Sequence, residues 1–229
     1  MAERLAAWVW VGAGALAGVA GIVNVVGFLG FQHQAITHLT GNTSLLGAAL
    51  VSGNARDSLH LAGAIAAFVA GAMLSGLLIQ DSVLRLGRRY GVVLTIESAL
   101  LLAAVPLFRH QQWLGPLCAA MACGLQNAMA TTYSGAVVRT SHLSGMFTDL
   151  GIMLGHVARR MPVSQRRMWL CLLVIASFFA GGLAGAGLFA AIGYAALYVP
   201  AALTGSTGVA YVAYRQYALR QARYRAATP

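Results

Sequence analysis

The chain has 229 residues, 59% hydrophobic and 9% charged, with a mean hydropathy of +0.73. Soluble domains carry about 25% charged residues, so this composition cannot build a water-compatible surface around the whole chain. The formal net charge of +10 comes with 15 basic residues, all arginine. They fall in short runs between apolar stretches: Arg85, Arg88 and Arg89; Arg159, Arg160, Arg166 and Arg167; Arg215, Arg220, Arg223 and Arg225. That placement marks cytoplasmic loops of a membrane protein and argues against nucleic acid as a partner.

A spanning helix needs about 20 mostly apolar residues. Leu5–Phe31 is the first such stretch. It is too long for the core of a cleavable signal, and no small-x-small site followed by polar sequence ends it, so it reads as a span that stays. Gln32–Ser52 follows, polar to Ser44 and apolar only over Leu45–Val51. Leu61–Ile79, Gly91–Phe108 and Trp113–Val138 are further spans, and Thr140–His156 is a second short segment with a polar opening. The uncharged run Met168–Tyr214 is long enough for two spans, divided near Gly193, and ends on Tyr211, Tyr214 and Tyr217, an interfacial anchor pattern. The two short segments read as half-helices that enter the membrane and return. Cys118, Cys123 and Cys171 lie inside apolar stretches with no CxxC spacing, so they read as small core residues.

The short segments align with each other. His38-Leu39-Thr40-Gly41 matches His142-Leu143-Ser144-Gly145, and Leu46-Gly47 matches Leu150-Gly151. Upstream, Gly21-Ile22-Val23-Asn24 matches Gly124-Leu125-Gln126-Asn127; downstream, Ala67-Phe68-Val69-Ala70-Gly71 matches Ser177-Phe178-Phe179-Ala180-Gly181. Matched blocks in the same order predict an internal duplication, about 5–108 and 113–214, within a single polytopic membrane domain of residues 1–229 that ends in a basic tail, 215–229. The expected fold is therefore all-α and integral to the membrane: about six transmembrane helices plus two re-entrant half-helices, in two inverted repeats. Seven or eight spans are the alternatives. With six spans and a cytoplasmic N-terminus, only Arg56 and Arg109 of the arginines fall outside; with eight, Arg85, Arg88, Arg89 and Arg139 do. The positive-inside rule favours six, with both termini cytoplasmic, and an inverted repeat of three plus three is a common transporter plan.

The pattern T-H-L-T-G-N-x-x-x-L-G at residues 37–47, G-L-Q-N at 124–127 and an echo at 140–145 resemble the YoaK-type bacterial membrane proteins, a family defined by a domain of unknown function. The resemblance covers nearly the whole chain. It implies a six- or seven-helix inner-membrane protein and no particular substrate. The echo departs from the first-half pattern: Met146 stands where Asn42 would be matched.

Polar groups inside a membrane are costly and mark candidate functional sites. Thr40-Gly41-Asn42 and Ser144-Gly145 read as N-terminal caps of the half-helices, with the glycines allowing a bend and a close ligand approach. Two such starts meeting near the bilayer centre would present free N–H groups and positive dipole ends to an anion. The plainer reading is a tight turn between packed helices. Asn24 and Asn127 are matched mid-span amides, either lining a pore or bonding between helices. His38 and His142 would face each other across an inverted pair and titrate near neutral pH; satisfied interfacial histidines are the plainer reading. His142, Asp149 and His156 share one helical face at a spacing of seven. Of the five acids, Asp149 and Glu97 fall at membrane depth, as proton-coupling candidates with His156. Glu97 is otherwise an acid paired with Arg109 or an arginine of the 85–89 loop.

These residues lead to an expected transporter or channel for a small anionic solute, with proton coupling as an option. The partners are the bilayer, the solute and, in an oligomer, a second copy; no metal, cofactor or catalytic residue is expected. A structural or assembly protein using the faces Gly14xxxGly18 and Gly181xxxGly185 is the first alternative. An intramembrane enzyme on a lipid-linked substrate, with His142 or His38 as base and Asp149 orienting it, is the second.

Overall fold

A computed structural model describes residues 7–30, 36–79, 88–134 and 140–227, apart from the side chains of 7, 88, 133, 134, 218–220 and 222–227. Arg4, Arg85 and Arg139, which enter the topology argument, lie outside the described residues, as do the side chains of Arg88, Arg220, Arg223 and Arg225. The described elements are α1 (Ala7–Gly30), α2 (Leu39–Val51), α3 (Ala55–Leu78), α4 (Arg88–Arg109), α5 (Leu114–Ser134), α6 (Leu143–Ala158), α7 (Gln165–Ile192), a 3-10 turn (Gly193–Leu197) and α8 (Tyr198–Ala227). No strand occurs among the described residues.

Local chemistry sets the ends. Asn54 caps α3, its Oδ1 accepting the Asp57 N–H at 3.1 Å, and Ser164 caps α7 by accepting from the Arg167 N–H. Gly193, at φ +60°, stops α7 where only glycine is comfortable, which divides the 168–214 run at the expected place. By length and composition, Trp8–Gly30, Ala55–Leu78, Arg89–Arg109 and Gln165–Tyr217 are apolar enough to cross a membrane. The last is two helices, parted by the 3-10 turn. α5 is not in that set, because Gln126 and Asn127 interrupt its apolar sequence, yet it is enclosed: Ala119, Ala120 and Leu125 are fully buried.

Packing is organised by glycine. A Cβ on Gly21 would strike the Phe178 carbonyl oxygen, and one on Gly181 would strike that of Gly18, so α1 and α7 touch backbone to backbone. Between α3 and α5 the same occurs: Gly71 faces the Met121 carbonyl and Gly124 the Phe68 carbonyl. Such close approach is how helices associate where lipid gives no hydrophobic drive. It also corrects the idea that the Gly14xxxGly18 and Gly181xxxGly185 faces bind partner helices, since both are spent inside the chain.

The contacts fix relative directions. Gly14 meets Leu173 and Gly185 meets Ile22, so α1 and α7 are parallel. Gly63 meets Leu117 and Gly71 meets Leu125, so α3 and α5 are parallel as well. α4 and α8 are antiparallel: Ser98 Oγ donates to the Ala201 carbonyl at 2.7 Å, while Gly91 lies on Gly208. α4 and α5 form a hairpin in which Gly115 packs on Phe108. α2 folds back on α3 through Ser52-Gly53-Asn54, and α6 packs on α7.

Candidate functional site

The chain re-enters the bundle after α1 and again after α5, and an asparagine holds each return. Asn24 Oδ1 accepts the Thr37 N–H at 3.0 Å and the Thr37 hydroxyl at 2.8 Å. Asn127 Oδ1 accepts the Thr140 hydroxyl at 3.5 Å. Thr37 and Thr140 are both buried. The two amides therefore neither bridge neighbouring spans nor stand free in a pore; each ties a returning loop to the helix before it.

The half-helices start earlier than the polar residues suggested. His38 and His142 occupy the N-cap positions, and neither start has a side-chain cap. Thr40, Gly41, Asn42, Ser144 and Gly145 lie inside the first turn of α2 or α6. Thr43, Ser44 and Thr148 donate their hydroxyls to the Leu39, Thr40 and Ser144 carbonyls, which satisfies them within the helix. The glycines have a further use: a Cβ on Gly41 would meet the His38 ring, and one on Gly145 the His142 ring. Each imidazole thus lies over the glycine three residues on and fills the space in which a ligand is expected from the sequence. Asn42 is buried at 3% exposure, whereas His38 and His142 are exposed.

The two starts do not meet. α2 has α3 as its packing partner and α6 has α7. Gln126 Nε2 donates to the Leu16 carbonyl at 2.6 Å, which sets α5 against α1. Asn127 then lies near the Leu16 level and Asn24 eight residues further along α1, about 12 Å away at the helical rise. The two loops are thus tied to the bundle at different levels along α1.

Around the start of α6 lies a cavity of about 750 Å³, lined by His142, Ser144, Thr148, Asp149, Arg166 and Arg167 among others. Asp149 Oδ2 accepts from Arg167 Nη2 at 2.9 Å, with side chains 35% and 60% exposed. This pairing replaces the expected partnership of Asp149 with His142 or His156; His156 sits in the last turn of α6 and does not line the cavity. The signal for Arg167 in the sequence is the basic run at the start of α7, which bears on topology as well.

Glu97 is elsewhere. It is 1% exposed in the middle of α4, and its Oε2 has no hydrogen-bond partner among the described residues. Arg109, at the other end of α4, is not its partner. Among the described residues no group of three His, Cys, Asp or Glu side chains is placed to hold a metal ion. Sequence reasoning missed Tyr194 altogether. Its hydroxyl donates to the Gly30 carbonyl, and its ring stacks on Phe108 at 4.9 Å, closing the end of the bundle where α1, α4 and α7 finish.

An all-helical bundle with long apolar helices, glycine-mediated backbone contact and polar loops returning into it defines a helical membrane protein. The chain belongs to the family described as "Protein of unknown function (DUF1275)", whose model matches residues 12–210 and which includes the YoaK-type proteins. No curated protein and no solved structure matches it.

Proposed function

We propose that the protein is a transporter or channel for a small anionic solute in the bacterial inner membrane, with both termini cytoplasmic and no enzymatic activity. The observation that carries this is the cavity at the start of α6. It combines Arg166, Arg167 and His142 with a helix N-terminus that no side chain caps. Cations and orphan N–H groups converging on one space suit an anion. The Asp149 carboxylate already rests on Arg167. In this reading it is a built-in stand-in that an arriving anion displaces.

The reading takes the chain as two inverted copies of one unit. Supporting it are the Asn24–Thr37 and Asn127–Thr140 bonds, the two imidazoles lying over Gly41 and Gly145, and the glycine contacts of α1 with α7 and of α3 with α5. The parallel direction within each of those pairs and the antiparallel α4–α8 pair fit six alternating spans, with α2 and α6 re-entrant.

The test is anion-driven swelling of proteoliposomes in potassium chloride, nitrate, formate, acetate and phosphate, with valinomycin carrying the potassium. At least one salt should swell wild-type vesicles faster than protein-free ones, and Arg167→Gln should slow that salt several-fold. Equal rates for every salt in wild-type and protein-free vesicles would overturn the proposal.

A further inference from the structure

The bundle leaves one seam open. α4 lies along α5 with Leu101, Ala104, Val105 and Phe108 fully buried, but α8 barely touches α1. The gap is a cleft of about 920 Å³ walled by α1 and α7 on one side and by α8 and the first turns of α4 on the other. Its wall is apolar in effect. Thr204 and Thr207 line it, yet their hydroxyls donate to the Pro200 and Leu203 carbonyls of their own helix, leaving methyl groups for the cleft. No carboxylate lines it. Toward one end of it stand Trp8, buried Tyr90 and Tyr211, with half-buried Arg215 one helical turn beyond Tyr211 on the same face of α8.

We propose that this cleft binds a bilayer phospholipid with an anionic headgroup, one acyl chain filling the α1–α8 seam and the headgroup phosphate resting on Arg215. An apolar space of this size is unfavourable when empty, because its lining loses dispersion contacts. Apart from the tyrosines at one end, only the Ser177 hydroxyl is left along the wall to replace the water of a small hydrated ion. An acyl chain fits the wall, and the cation at that end selects the charge of the head. The site is separate from the α6 cavity and does not depend on solute movement.

Trp8 reports on it directly. With Trp10, Trp113 and Trp169 replaced by Phe, the Trp8-only protein is placed in phosphatidylcholine vesicles carrying a minor fraction of lipid brominated on its acyl chains. Brominated phosphatidylglycerol should quench Trp8 several-fold more than brominated phosphatidylcholine, and Arg215→Gln should bring the two to equality. A Trp169-only protein, whose indole is exposed and does not line the cleft, should show no preference. Equal quenching of Trp8 by the two lipids would contradict the site. So would a phosphatidylglycerol preference that is the same at Trp169, or stronger quenching by a brominated free fatty acid than by the phospholipid.

Discussion

Asn24 holds Thr37 twice, accepting its backbone N–H at 3.0 Å and its hydroxyl at 2.8 Å through one amide oxygen. That bond closes the segment leading into α2 onto α1. Asn24→Leu leaves a buried N–H and hydroxyl without their acceptor, which costs about 1–3 kcal/mol. The counterpart Asn127–Thr140 bond is single and long, at 3.5 Å, so Asn127→Leu should cost less. Thermal unfolding in detergent should therefore rank wild type above Asn127→Leu and Asn127→Leu above Asn24→Leu. The reverse order of the two variants would remove the anchoring role from Asn24.

Gly71 and Gly181 allow backbone contact between helices. Gly71→Leu places a side chain on the Met121 carbonyl, and overpacking costs about 1–3 kcal/mol where the neighbour can yield. A backbone neighbour yields poorly, so strong loss of folded protein is expected. Gly151→Leu is the comparison, because a Cβ there meets nothing within 4 Å. Size-exclusion profiles should show Gly151→Leu intact and Gly71→Leu aggregated.

Asp149→Asn should separate folding from function. The Asp149–Arg167 pair is well exposed, so its contribution to stability is about 1 kcal/mol at most, and the melting temperature should hardly move. Flux of the transported anion should rise several-fold at low anion concentration, because neutral Asn holds Arg167 less tightly and is displaced more easily. Unchanged flux would reduce Asp149 to a surface ion-pair partner.

Glu97 is buried with an unpartnered carboxyl oxygen. Such a group is unfavourable to stability. Glu97→Leu is expected to leave the melting temperature equal or higher while lowering anion flux. A clear drop in melting temperature would show that Glu97 serves the fold instead.

The long apolar helices were legible in the sequence, because apolar length is a one-dimensional property; the expected span Trp113–Val138 is the exception, since α5 is not among the helices apolar enough to cross a membrane. The break at Gly193 was also legible, since a glycine in a long uncharged run is where a left-handed residue can sit. The half-helix starts were misplaced for a physical reason. Thr40, Asn42 and Ser144 have the residue types that cap helices, but His38 and His142 hold the N-cap positions and the helices begin at Leu39 and Leu143, a choice that depends on how the preceding loop is held. The Asn24–Thr37 tie requires the loop to fold back, and the Asp149–Arg167 pair requires α6 to lie on α7. Neither follows from spacing along one chain. Gln126 was visible inside the G-L-Q-N block, but its acceptor, a backbone carbonyl on α1, leaves no trace in sequence.

In the inverted arrangement proposed above, the two half-helices sit in opposite halves of the membrane. It is tested by labelling Thr40→Cys and Ser144→Cys separately, in a background with Cys118, Cys123 and Cys171 replaced by Ala, using a membrane-impermeant thiol reagent on vesicles of known orientation. Both positions are exposed. The account predicts that Ser144→Cys reacts from the face bearing the C-terminal end of α8 and Thr40→Cys only from the other. Reaction of both from the same face would contradict the inverted arrangement.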